Sequence, residues 1–96
     1  MIDHLSCALW YAYHNKNIDM IKLLLEEGAS PLYMERFEDG TLMEEVIKKE
    51  EQELLELLLS YVQEDCSFLL SEAAQTNNIK ILTLIINHNQ KIKSNS

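Results

Sequence analysis

Met20-Ile-Lys-Leu-Leu-Leu-Glu-Glu-Gly-Ala29-Ser-Pro31 is the stretch whose reading decides the fold. Its apolar residues Met20, Ile21, Leu24 and Leu25 are echoed 34 positions later by Leu54, Leu55, Leu58 and Leu59, and 27 beyond that by Ile81, Leu82, Ile85 and Ile86. An i, i+1, i+4, i+5 spacing puts all four side chains on one stripe of a helix. A unit of this length cannot bury its own apolar face and must stack on a neighbour, so the period dictates the architecture. The echoes divide a single domain, residues 1–96, into units at about 3–36, 37–64 and 65–90, followed by a polar tail at 91–96.

A shorter helix precedes each leucine-rich one. Ser6 to His14 carries Leu9, Ala12 and Tyr13; Thr41 to Lys49 carries Met43, Val46 and Ile47; Phe68 to Thr76 carries Leu70, Ala73 and Ala74. All three share an apolar i, i+3, i+4 triplet, and Thr41-Leu-Met-Glu44 fits the capping box that opens a helix. Turns are expected at His14-Asn-Lys-Asn17, at Gly28 and at Thr76-Asn-Asn78, where Asn and Gly tolerate left-handed backbone. Ala29 to Gly40 is the longest connection, and its Tyr33, Met34 and Phe37 point to an extended finger rather than free coil. Only Tyr61 to Ser67 separates the second unit from the third, too little for a second finger. The last helix is expected over Ile79 to Asn87, with the polar tail fraying beyond it.

Composition excludes several functions. Eight Lys and Arg against 16 Asp and Glu leave a formal charge of −8, which opposes binding to nucleic-acid phosphates and to anionic membranes. No apolar run reaches the roughly 18–20 residues of a membrane span, and Met1-Ile-Asp-His4 lacks the basic flank and apolar core of a signal peptide. A cytoplasmic chain is expected. Cys7 and Cys66 lack metal-ligand spacing and read as buried or half-buried thiols. His4, His14 and His88 are scattered, and there is no glycine-rich phosphate cradle. No catalytic residue, metal ligand or cofactor is assigned.

Cys7-Ala-Leu-Trp-Tyr-Ala-Tyr13 followed by Asn17-Ile-Asp-Met-Ile-Lys-Leu-Leu-Leu-Glu-Glu-Gly-Ala29-Ser-Pro31 resembles an ankyrin repeat. The family's pattern is a Thr-Pro-Leu-His-x-Ala-Ala helix, a turn, an Ile-Val-x-x-Leu-Leu helix and then Gly-Ala-Asp. Leu9, Ala12 and Gly28-Ala29 match it. Ala73-Ala74, Asn77-Asn-Ile79, Ile81-Leu82 and Ile85-Ile86 match it in the third unit, and the second unit follows more loosely. Val46-Ile47 replace two small alanines, Leu59 has no Gly-Ala after it, and the family's Pro and His are missing from every first helix. The resemblance implies an all-α, ankyrin-type repeat solenoid of three stacked helix-turn-helix units with one long finger loop. It also implies a non-catalytic scaffold that binds a protein through the concave face of its first helices and the finger.

On that face the resemblance places Trp10, Tyr11 and His14, with Tyr33 and Phe37 on the finger, as an aromatic anchor patch. The alternative is that Trp10 and Tyr13 close over the end of the first unit. Glu44, Glu45, Lys48 and Lys49 continue the surface in the second unit and Glu72 in the third. Glu44 with Lys48 and Glu45 with Lys49 form i, i+4 pairs that also suit a plain solvated helix. The expected partner is a protein with a basic or mixed apolar and basic surface, bound by a small adaptor or inhibitor that is itself monomeric or weakly self-associating. An acidic band at Glu50, Glu51, Glu53, Glu56, Glu64 and Asp65 raises a second reading, an immunity- or antitoxin-type neutraliser of a basic toxin or nuclease. A third reading is structural, with apolar end faces driving self-association.

Overall fold

Six α-helices and one short 3-10 turn, with no strand, make up the described residues, 4–33 and 40–94, of the computed structural model. The chain divides into two compact units, Met1–Leu42 and Met43–Ser96. The first holds one helix pair, α1 (His4–His14) and α2 (Ile18–Glu26). The second holds two pairs, α3 (Leu42–Lys48) with α4 (Gln52–Leu59), and α5 (Leu70–Gln75) with α6 (Ile79–Ser94). A 3-10 turn at Ser67–Leu69 leads straight into α5. The all-α repeat architecture is thus three helix pairs, each a short helix followed by a leucine- or isoleucine-rich one.

The first pair is held by Leu9, Ala12 and Tyr13 of α1 and Ile21 and Leu25 of α2, all buried. These are the residues that helical periodicity places inward, and α1 packs directly on α2. In the second unit Met43, Val46 and Ile47 of α3, Leu54, Leu55, Leu58 and Leu59 of α4, and Ile81 and Ile85 of α6 are buried. There α4 packs along α6.

The turn inside each pair obeys the sequence period. Among the described residues, Lys16, Glu50 and Asn77 are the non-glycine residues with positive φ, at 55°, 54° and 59°. They stand 34 and then 27 residues apart, the same steps as the leucine pattern. In the first two turns the following amide reaches back to the helix: Lys16 N–H donates to the Tyr13 carbonyl and Asn17 N–H to that of Ala12, while Glu50 N–H donates to Ile47 and Glu51 N–H to Val46. This is the bond pattern by which a left-handed residue closes a helix. The left-handed position falls on Lys16 rather than on its asparagine neighbours, because Asn17 serves as N-cap of α2 and accepts the Met20 N–H at 3.1 Å. Asn78 does the same for α6, accepting from the amides of Lys80 and Ile81.

The ends of the second helices differ. Gly28, at φ 105°, donates to the Leu25 carbonyl, and Ala29 donates to that of Leu24. After α4 no residue turns left-handed: Ser60 keeps φ −65° and ψ −17°, and Tyr61 and Val62 bond back to Leu58 and Leu59. The missing Gly-Ala of the second unit therefore has a structural counterpart. The expected fraying after Asn87 does not extend to 91–94, since α6 continues to Ser94. Buried His88 and Asn89 give that extension a packing face.

Candidate functional site

In the first unit the helical rotation separates neighbours sharply. Leu9, Ala12 and Tyr13 point inward, whereas Tyr11 is 70% exposed and His14, one turn on, is exposed beside it. Trp10, expected on the binding face, is only 4% exposed. Its ring lies 5.9 Å from that of His14, and the Tyr13 ring is 5.6 Å from His14. The Lys16 ammonium sits 4.3 Å from the Tyr13 ring centroid, a cation–π contact that fixes the turn. Trp10 is thus a buried neighbour of His14 rather than an exposed side chain, and its buried Nε1 has no hydrogen-bond partner among the described residues.

The start of the long connection after α2 is tied to α1; the rest of the expected finger, residues 34–39, falls outside the described residues. The Ser30 N–H donates to the Ser6 hydroxyl at 2.8 Å, and Ser6 is buried. Ser30 in turn organises the next residues, its hydroxyl accepting from Leu32 N–H and its carbonyl from Tyr33 N–H. Tyr33 is half-buried, and the Cys7 thiol donates to its hydroxyl at 3.7 Å. Phe37 lies outside the described residues. Ser6 escaped sequence reasoning, although a serine between Leu5 and Cys7 on the inward side of a helix is a signal for a buried tether.

In the second unit Glu44 and Glu45 are half-buried on α3 and Lys48 is exposed. The Lys48 ammonium lies 3.7 Å from a Glu72 carboxylate oxygen, which joins α3 to α5 and brings two of the expected site residues together. Lys49 pairs with Glu45 at 3.8 Å, one of the two expected i, i+4 contacts. Ion pairs this exposed contribute about 0–1 kcal/mol, so they orient the face more than they stabilise it. Glu50, Glu53, Glu56, Glu64 and Asp65 are exposed, with Glu51 half-buried. Glu50 also accepts a 3.0 Å bond from the Asn78 amide, linking consecutive intra-pair turns.

The connection from α4 to α5 is a polar knot that sequence reasoning missed. Asn89 accepts the Cys66 N–H at 2.7 Å, and His88 Nε2 lies 3.0 Å from the Glu64 carbonyl. A carbonyl only accepts, so His88 carries its proton on Nε2. The Ser67 hydroxyl and its N–H, the latter at 2.7 Å, both donate to Asp65, and these two bonds hold the Asp65 carboxyl below its ordinary value. Burial, reinforced by Glu64 and Asp65, pushes the Cys66 thiol up to about 11. Such a thiol stays protonated and unreactive at neutral pH.

None of these groups forms a nucleophile–base pair, and among the described residues no three His, Cys, Asp or Glu side chains could hold a metal ion. No helix among them is long and apolar enough to cross a membrane. The family model for the ankyrin repeat matches residues 4–35. The chain carries an ankyrin repeat. The match spans the first helix pair, its left-handed turn, Gly28-Ala29 and the tethered residues that follow, while the second unit holds two further helix pairs. No curated protein and no solved structure matches the chain. The described surface thus presents exposed Tyr11 and His14 on α1, with Trp10 buried, and, in the second unit, a series of acidic side chains on α3, α4 and α5.

Proposed function

We propose that this ankyrin-repeat chain is a non-catalytic protein-binding module, a small adaptor or inhibitor of the cytoplasm. The observation that carries the reading is Tyr11. A tyrosine 70% exposed on a helix whose neighbours Trp10 and Ala12 are buried offers a large, rigid contact surface with little rotamer entropy left to lose. His14 lies beside it, and the tethered loop start presents Tyr33. On the second unit, Glu44, Glu45 and Glu72 provide carboxylates, which favours a partner that carries basic residues as well as an apolar knob. The −8 formal charge supports the same partner chemistry and disfavours nucleic acid.

Affinity capture from cells that express the chain, run in parallel with Tyr11→Ala and Glu44→Lys/Glu45→Lys, tests the reading. A specific partner should lose at least about tenfold in affinity to each variant. Capture undiminished by Tyr11→Ala in a folded protein would remove this surface from consideration. The exposed acidic residues around α4 favour a second reading, a neutraliser of a basic toxin or nuclease. Its mark is binding that depends on Glu50, Glu53 and Glu56 rather than Tyr11 and that weakens steeply with salt.

A further inference from the structure

We propose that the outward stripe of α2, formed by Met20, Leu23 and Leu24 and closed by Glu27, docks an amphipathic helix of a partner protein that carries basic residues beside its apolar face. The stripe lies wholly in the first unit and uses no residue of the partner-binding surface proposed above. Its members stand at i, i+3, i+4 and i+7, the spacing by which a helix presents one continuous face. Met20 is 45% and Leu23 56% exposed, and Leu24 is half-buried. Ile21 and Leu25, on the inward side, are buried where α2 packs on α1. α2 is thus apolar on two sides, and only the inward one is fully covered.

The repeat itself shows what covers these positions elsewhere. Their equivalents are Leu54, Leu57 and Leu58 in α4, and Ile81, Leu84 and Ile85 in α6. Leu54, Leu58, Ile81 and Ile85 are buried, and Leu57 and Leu84 are half-buried. In the second unit the α6 stripe is covered where that helix packs against α4 and α5, which makes a helix the fitting occupant of the bare stripe on α2.

Local charge sets the chemistry of that helix. Glu27 ends the stripe one turn beyond Leu23 and Leu24, and Asp19 and Glu26 flank Leu23 at i−4 and i+3, whereas Lys22 projects from the other side of α2. All three acids are exposed. Glu26 and Glu27 also stand at the C-terminal end of α2, where the helix dipole is already negative and no basic side chain lies in the last turn. Acids placed there work against the free helix and favour a cation supplied from outside. The covered stripes carry none at those places: Ser60-Tyr61 stand there in the second repeat and Asn87-His88 in the third. Bare apolar residues and acids at the negative helix end therefore coincide on one helix. A partner helix with apolar side chains at the same spacing and Lys or Arg along their edge answers both.

The probe is a synthetic helical peptide of about 14 residues, roughly four turns, with leucines at i, i+3, i+4 and i+7 and lysines flanking them. Its twin has glutamates in place of the lysines. Fluorescence anisotropy follows binding to the full chain, and methyl NMR locates the contact at Met20. The lysine peptide should bind at least about tenfold more tightly than its twin, shift the Met20 methyl resonance, and lose at least about tenfold to Leu23→Ser. Glu26→Lys/Glu27→Lys should invert the preference, so that the glutamate peptide binds the tighter; these changes suit the helix dipole and do not endanger the fold. Absence of binding, equal affinity for the two peptides, indifference to Leu23→Ser or an uninverted preference would overturn the inference. So would sedimentation in which the chain alone self-associates and Leu23→Ser abolishes it, since the occupant would then be a second copy. Circular dichroism checks that the variants fold; should Leu23→Ser lose helicity, Met20→Gln and the charge inversion are read in its place.

Discussion

The side-chain carbonyl of Asn89 accepts the backbone N–H of Cys66 at 2.7 Å, across 23 residues, inside the second unit. The connection after α4 has neither a glycine cap nor a finger, and this bond, with the one from His88 to Glu64, holds it in place. An apolar helix stripe here gives way to two polar residues because a buried loop amide needs an acceptor, which Asn89 supplies, and a loop carbonyl takes a donor, which His88 supplies.

Asn89→Ala removes that acceptor and leaves the Cys66 amide buried and unsatisfied. The expected cost is about 1–3 kcal/mol, whereas Asn89→Asp, which keeps an acceptor, should cost less. Urea unfolding followed by circular dichroism reads this as a lower midpoint at unchanged slope. Equal stability of wild type and Asn89→Ala would mean that the bond contributes nothing.

The two thiols should react at different rates. Cys66 is fully buried, with its pKa pushed up to about 11, while Cys7 is half-buried at the surface of α1. Brief iodoacetamide treatment near pH 8, with peptide mass spectrometry, is expected to label Cys7 and spare Cys66 until the chain unfolds. The raised Cys66 value also sets a sign. The neutral thiol is the form the fold accommodates, so its contribution is complete below the unfolded value of 9.0 and is lost as pH rises towards about 11.

Asp65 titrates in the opposite sense. Its carboxyl is held below 3.8 chiefly by the Ser67 hydroxyl and then by the Ser67 amide. Its contribution is present above the unfolded value and disappears as pH falls through the lowered folded value. A carboxyl-carbon NMR titration should place Asp65 below 3.8, and Ser67→Ala should move it upward; an unmoved titration in that variant would assign the shift to another cause.

Gly28→Ala tests the one glycine the repeat motif demands at the end of α2. A methyl group at Gly28 would meet nothing within 4 Å, so crowding is not the penalty. The backbone is, at φ 105°, and the expected loss is about 1–2 kcal/mol. Thermal denaturation measures it. An unchanged midpoint would show that the turn relaxes to negative φ at no cost.

Much of the fold was legible because it is local. The i, i+1, i+4, i+5 pattern located α2, α4 and α6, and the triplets located α1 and α3, since helical rotation decides which residues share a face. In α5 the inward residues are Leu69 and Ala73 rather than the expected Leu70, Ala73 and Ala74, because a 3-10 turn at Ser67–Leu69 precedes the helix; Leu70 is half-buried and Ala74 exposed. The left-handed turns at Lys16 and Asn77 were placed within a residue, whereas the one at Glu50, where there is neither Asn nor Gly, gave no turn signal. Lys16 rather than Asn15 or Asn17 takes positive φ, because turn chemistry names candidates and the capping bond of Asn17 chooses among them. The end of α6 was less legible, since a polar tail has no helical signal of its own and acquires one only when His88 and Asn89 find a loop to hold.

The sequence by itself determined the repeat: its period, its helix pairs, its one long connection and its acidic balance. Tertiary structure alone decided which side chains are available to a partner. Tyr11 and Trp10 are adjacent aromatics that composition cannot distinguish, yet one is 70% and the other 4% exposed. Periodicity is a property of neighbours along the chain. Burial depends on what packs against a residue from far along it, as Ser6 meets Ser30 and Asn89 meets Cys66.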